Sequence, residues 1–184
     1  MTGLSRALRL IACGGTLDKR YDAIRGELVF VESQLPAIVA RARLTVPTIV
    51  EPLMQIDSLD MQDADRERVL ASCRASVESS IVIVHGTDTM PETARLLGPH
   101  FEVDDGTDAK TIVLTGAMVP YAIADSDALF NLGFACACAQ TLSPGVWIAM
   151  NGRVHRWHAV RKDRAAGIFV DARDAVPASS HSAA

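Results

Sequence analysis

The sequence has no surplus of positive charge: 18 lysines and arginines stand against 22 aspartates and glutamates, a formal net charge of −4 over 184 residues. With neither a basic stripe nor a basic tail, it lacks the electrostatic footprint that nucleic acid or an anionic membrane surface calls for. Missing too is an apolar run long enough to span a bilayer, since the longest candidate, Ala128 to Ala139, is broken by Asn131. Met1 to Arg9 lacks the basic, apolar, then small-residue order of a secretory signal, so a cytoplasmic protein is expected. Cysteine is scarce, and Cys13, Cys73, Cys136 and Cys138 make a poor disulfide framework in a chain of this size without an export signal. Cys136 and Cys138 could offer two thiolates to a metal, but no matching pair closes a tetrahedral site. Small core residues of a helix are the simpler reading, and no metal is expected. Neither G-x-G-x-x-G nor Gly-Lys-Ser/Thr occurs, so no nucleotide-type cofactor is expected. No internal repeat is visible.

What is present is ordinary for a soluble globular domain: 49% hydrophobic and 22% charged residues, in a chain long enough to bury one substantial core. Five apolar, β-branched runs stand out: Leu8 to Ala12, Val46 to Leu53, Ile81 to Val84, Thr111 to Thr115 and Val146 to Met150. None alternates cleanly between apolar and polar, which suits strands covered on both faces. Between them, Ala64 to Ser79 has helical spacing, with Val69, Leu70, Cys73 and Val77 on one face. Thr89-Met-Pro-Glu92 reads as a capping box opening a helix that stops near Gly98, and Ser126 is placed to cap another through Ala139. Strand alternating with helix predicts one three-layer αβα domain over residues 1–170, with an open, mostly parallel sheet of flavodoxin/Rossmann-like type. The small, polar stretch from Asp171 to Ala184 reads as a disordered tail.

The polar and glycine clusters all follow strands directly. Gly14-Gly15-Thr16, Gln55-Ile-Asp-Ser58, His85-Gly-Thr-Asp-Thr89, Gly116-Ala-Met118 and Asn151-Gly152 come after the first to fifth runs in turn. In an open parallel sheet the carboxyl ends of the strands border the ligand crevice, so the chemistry collects on one edge. At the first strand end, two glycines allow a tight turn and close backbone approach, leaving the Thr16 hydroxyl near potential oxyanion donors. Alone, that tripeptide is only a turn. At the third, Thr87 and Asp88 lie between a strand and a helix N-terminus, where Asp88 can hold an ammonium group or simply satisfy loop N–H groups.

Taken together, Cys13-Gly-Gly-Thr16, Asp57-Ser-Leu-Asp60, His85-Gly-Thr-Asp-Thr-Met-Pro-Glu-Thr93, Thr115-Gly-Ala-Met118 and Ser126-Asp-Ala-Leu-Phe-Asn-Leu132 agree in type and order with the bacterial-type L-asparaginases. From about Ala7 to Val170 the chain resembles the N-terminal domain of that family, in a short form. The resemblance implies an amidohydrolase acting on L-asparagine, with Thr16 as nucleophile and Tyr21 hydrogen-bonded to it. Thr87 and Asp88 match the second threonine and its aspartate, the latter on the substrate α-ammonium, with Ser58 on the α-carboxylate. Lys162, eleven residues after Asn151, matches the catalytic lysine. Gly15, Gly86 and Ala117 fall on the pocket wall. Leu59 stands where many members carry glutamine, Cys13 replaces a threonine, and the family's second domain has no counterpart in these residues. A homodimer or homotetramer is implied.

Amide hydrolysis needs an activated hydroxyl, donors for the developing oxyanion, and a proton for the departing ammonia. Thr16 can supply the first and backbone N–H groups near Gly15 or Thr87 the second. Two other functions fit the same residues: an aspartate- or asparagine-binding module without catalysis, and an amidase for another small amide such as glutamine. Of the remaining features, His155 and His158 read as surface residues rather than a metal pair. Trp157 is placed either at a subunit contact or over the lysine loop. Asp127 and Asn131, four apart on one helix, either brace the site or serve as a helix-start charge and a core amide.

Overall fold

The computed structural model describes residues 7–102 and 109–173. The five expected runs become β1 (Leu8–Gly14), β4 (Thr48–Ile56), β5 (Ser80–Val84), β6 (Thr111–Thr115) and β7 (Gly145–Met150), with the short strands β2 (Arg20–Asp22) and β3 (Glu27–Val29) between the first two. Along the sheet the order is β4-β1-β5-β6-β7, every neighbour parallel, and an antiparallel edge strand β8 (Arg153–Arg156) follows β7. This is the 2-1-3-4-5 order of a flavodoxin-like sheet with one added edge strand.

Strand residues alternate between two cores, because successive Cβ atoms point to opposite faces. Ile81 and Ile83 of β5 pack with Ile11, Ile112 and Leu114 under α2 (Asp63–Ala75) and α3 (Met90–Phe101). Val82 and Val84 pack with Leu10, Ala12 and Val113 under α1 (Leu35–Ala42) and α4 (Ala128–Thr141). Both sheet faces are covered, which is why the strands read as continuous apolar runs. The protein is therefore the expected three-layer αβα fold. All four cysteines are free and buried, Cys73 on the inner face of α2 and Cys136 and Cys138 within α4.

Several local expectations are corrected. Helix α2 ends at Ala75, so Val77 lies outside it and is 87% exposed. Helix α3 continues through Gly98 and Pro99 to Phe101. Gly98 does not stop the helix; it makes room for Trp157, whose ring lies 2.2 Å from where a Cβ would be. Thr89 precedes α3 but makes no capping bond, because its Oγ1 donates to the Ser58 carbonyl, and Glu92 pairs with Arg66 instead. Helix α4 runs Ala128–Thr141; Ser126 Oγ accepts from the Ala128 amide just ahead of it. His155 is buried on β8 beside Asp171, not on the surface.

Two hairpins went unforeseen: β2–β3, and β9 (Val160–Asp163) with β10 (Ile168–Asp171). Strand β10 runs one residue past the boundary expected at 170, and the Ala172 amide donates to the Ala159 carbonyl. The rest of the expected tail, 174–184, lies outside the described residues.

Candidate active site

In this strand order, β1 and β5 are neighbours whose connections leave in opposite directions along the sheet, and a crevice opens at their carboxyl ends. Those ends carry Gly14-Gly15-Thr16 and His85-Gly86-Thr87. Glycine is required because the loops touch through their backbones. A Cβ on Gly15 would sit 2.4 Å from both Gly86 Cα and Gly86 N, one on Gly86 would meet Ser58 Oγ at 2.6 Å, and one on Gly116 would meet the His85 carbonyl at 2.4 Å. Gly15 also adopts φ 76° and ψ −175°, a conformation reserved in practice for glycine. The two threonines thus each follow a glycine, and those glycines are in contact. The buried Ser58 lies against Gly86, while the Thr87 methyl lies close to Gly116.

His85 fastens the third loop from below. Its Nδ1 lies 2.7 Å from the Gly86 carbonyl and its Nε2 2.8 Å from Thr93 Oγ1. Burial, with the Arg66 charge adding to it and the Gly86 bond opposing, lowers its pKa to about 4. The ring is accordingly neutral, Nδ1–H donating to Gly86 and Nε2 accepting from Thr93.

The lysine arrives from the opposite side. Strand β9 pairs Lys162 with Phe169 of β10, which is buried in the core, and Arg95 of α3 donates to the Val160 carbonyl, fixing the hairpin over α3. Lys162 Nζ lies 2.7 Å from Thr87 Oγ1 and 2.8 Å from Asp88 Oδ1, with its side chain only 8% exposed. Asp88 is 34% exposed, and Arg164 Nε approaches the same Oδ1 at 4.0 Å. A small cleft of about 170 Å³, bordered by Asp88, Glu92, Arg95, Lys162 and Arg164, opens beside it. A threonine hydroxyl held by a desolvated amine, with a carboxylate on the same amine, is an arrangement able to move a proton to or from a bound group.

At the fourth strand end, Ala117 is buried. Asp127 accepts from the Met118 and Val119 amides, and Asn131 Nδ2 donates to the Gly116 carbonyl and to Asp127. The Asn151 amide donates in turn to Asn131 Oδ1. Of the two roles weighed for Asp127 and Asn131, the structure assigns the bracing one.

Three expected site residues sit differently. Tyr21 lies on β2, 61% exposed, and no hydrogen bond among the described residues joins it to Thr16. Leu59 is 62% exposed, its amide capping Asp57 Oδ1. The Gly15 amide is spent on the Ile56 carbonyl at 3.0 Å, so it is not an oxyanion donor; the Thr87 amide has no such partner among the described residues. Thr16 itself is half-buried and opens a single 3₁₀ turn, Thr16–Asp18. Asp18 and Lys19, overlooked in the sequence, anchor that turn. Their signal was a charged pair placed immediately after an apolar residue at a glycine turn. Among the described residues no cluster of three or more His, Cys, Asp or Glu side chains is placed to hold a metal, and no helix is long and apolar enough to cross a membrane.

Comparison with known proteins bears on the fold and the family. The chain is 29% identical over 174 residues to L-asparaginase 1 of Escherichia coli, covering 89% of this chain and 49% of that protein. It is 34% identical over 109 residues to a probable periplasmic L-asparaginase of Haemophilus influenzae, covering 56% of this chain and 30% of that one. The crystal structure of L-asparaginase I from Vibrio cholerae shares the fold at TM-score 0.78 and 24% identity, over 90% of this chain and 51% of that one. The chain thus spans at most about half the length of these relatives. The model of the asparaginase N-terminal domain matches residues 7–174, and with that match over most of its length the chain belongs to the asparaginase family.

Proposed function

We propose that the protein hydrolyses the side-chain amide of L-asparagine to L-aspartate and ammonia, with Thr16 as the attacking hydroxyl. The observation that carries the reading is the Lys162 amine held between Thr87 Oγ1 and Asp88 Oδ1, in a crevice where the Thr16 and Thr87 loops touch. Thr16 attacks the amide carbon and the oxyanion is met by backbone N–H groups, of which the Thr87 amide is the free candidate. Lys162 and Thr87 relay the proton released by the Thr16 hydroxyl to the departing ammonia. Water then cleaves the acyl-enzyme and restores Thr16. Asp88 holds the substrate α-ammonium and Ser58 lies on the α-carboxylate side, Gly15, Gly86 and Ala117 forming walls. The reading includes a cytoplasmic homodimer or homotetramer, for which analytical ultracentrifugation is the direct check.

Ammonia release from the wild type, Thr16→Ala and Thr87→Ala tests the chemistry. Loss in both variants is expected, and equal rates in all three would remove the threonine mechanism. The exposed Leu59 favours one second reading, a module that binds aspartate or asparagine without turnover. Calorimetry showing binding together with an absence of turnover would select it. Rates on glutamine beside asparagine separate the two amide substrates.

A further inference from the structure

The turn that carries Thr16 is tied down at each of its next three residues. The Leu17 carbonyl accepts from the Tyr121 amide, in the loop before α4, at 3.2 Å. Asp18, fully buried, accepts through Oδ1 from the Gln34 amide at 2.8 Å and Ser33 Oγ at 3.1 Å, just ahead of α1. Lys19 crosses to the second strand end and pairs with Asp57 Oδ2, its ammonium also lying over the Phe30 ring at 5.5 Å.

Asp57 is bonded on both oxygens, because Oδ1 accepts from the Leu59 amide at 3.0 Å. Its carboxyl is held below the ordinary carboxylate range: burial acts the other way, but the Lys19 bond and the Leu59 amide outweigh it. The Lys162 charge adds, as the smallest cause, in the same direction. Asp57 immediately precedes Ser58, which touches Gly86, and Lys19 donates its own backbone N–H to the Thr16 carbonyl at 3.2 Å. One ion pair therefore joins the turn bearing the attacking hydroxyl to the loop bearing Ser58. Both partners are largely shielded, 19% and 28% exposed, so the pair is stronger than a surface salt bridge.

We propose that Lys19 and Asp57 form a positioning latch that holds the Thr16 hydroxyl in register with the Ser58 and Thr87 loops. This rests on the amide-hydrolysis reading, with Thr16 as nucleophile. Neither side chain needs to touch substrate: the latch sets the orientation of the hydroxyl, and small misplacements of a reacting group are costly to rate.

The test uses the full chain as Lys19→Met, Lys19→Arg, Asp57→Asn and the exchanged pair Lys19→Glu with Asp57→Lys. It reads steady-state ammonia release from asparagine and hydrogen exchange at the Lys19 amide. For Lys19→Met and Asp57→Asn, kcat falls by roughly 10- to 100-fold with KM within about threefold of wild type. Exchange at the Lys19 amide becomes at least about tenfold faster, as expected for local opening. Lys19→Arg and the exchanged pair recover most of the loss. Should Lys19→Met not fold, Asp57→Asn, which keeps the size of the side chain, carries the test. Unchanged kcat with raised KM would overturn the latch and make Lys19 a direct substrate contact, and unchanged kcat and exchange would remove it altogether. If the wild type released no ammonia, the amide-hydrolysis reading would fall by itself. Exchange at the Lys19 amide would then decide whether the two loops are latched.

Discussion

The crevice has two sides built on different principles. On the glycine side, the Thr16 and Thr87 loops are located by close contact at glycine, with Gly15 against the Gly86 backbone and Gly86 against the Ser58 side chain. On the lysine side, β9–β10 is a short hairpin outside the main sheet, fixed by Phe169 in the core and by Arg95 on the Val160 carbonyl. The first side tolerates no added atom. The second is set by side chains, with Phe169 in the core anchoring the hairpin and Lys162 carrying the chemistry. Glycine contacts therefore specify where the two threonine-bearing loops meet, and side-chain packing specifies where the amine lies.

Four substitutions or conditions sharpen that contrast. The largest expected effect is on the lysine side: Lys162→Met lowers kcat/KM for asparagine by roughly 10³-fold, about 4 kcal/mol of transition-state stabilisation. Its urea midpoint should move less than that of Gly15→Ala, because Lys162, although its side chain is only 8% exposed, belongs to neither hydrophobic core. A large midpoint shift would show the two sides are not distinct. On the glycine side, Gly15→Ala should destabilise the fold by more than about 3 kcal/mol, combining a disallowed backbone conformation with a backbone clash. Chemical denaturation measures it, and an undisturbed midpoint would break the backbone-contact argument.

His85 offers a comparison by pH. Its folded pKa of about 4 lies below the ordinary 6.5, so the unfolded chain binds the extra proton between those values. The contribution is fully present above 6.5, is lost as pH falls toward 4, and is level below; over that window it amounts to about 3 kcal/mol. His85→Gln should be less stable than wild type at neutral pH, with the difference narrowing toward pH 4. A constant difference would mean that the ring does not titrate as argued. The smallest effect is expected at the exposed Tyr21. Tyr21→Phe should change kcat by less than about twofold, since its hydroxyl has no described partner, and a large loss would restore the contact with Thr16 that the family resemblance implies.

How far the molecule could be read from its residues differs by region for the same reasons. The runs at Leu8, Ile81, Thr111 and Val146 announced buried parallel strands because both faces of each are covered, and the glycine turns at their ends announced the crevice. Hairpin β9–β10 was hidden, since Val160-Arg-Lys-Asp163 looks like a solvated charge run until the hairpin folds over α3. Local signals misled where a distant partner outcompeted a near one. Thr89 has the sequence of a cap, yet its hydroxyl is taken by the Ser58 carbonyl. Gly98 has the sequence of a helix stop, yet it is a seat for Trp157.

By itself the sequence determined the αβα architecture and the edge of the sheet on which the chemistry collects. Both follow from short-range facts: hydrophobic period, and the conformations that only glycine tolerates. Tertiary structure alone decided that Lys162 meets Thr87 and Asp88, that Tyr21 stays outside, and that Lys19 reaches Asp57. Each of these joins residues far apart in the chain or turns on the direction a side chain takes. Hydrogen bonds and ion pairs over such separations depend on packing that no local pattern encodes.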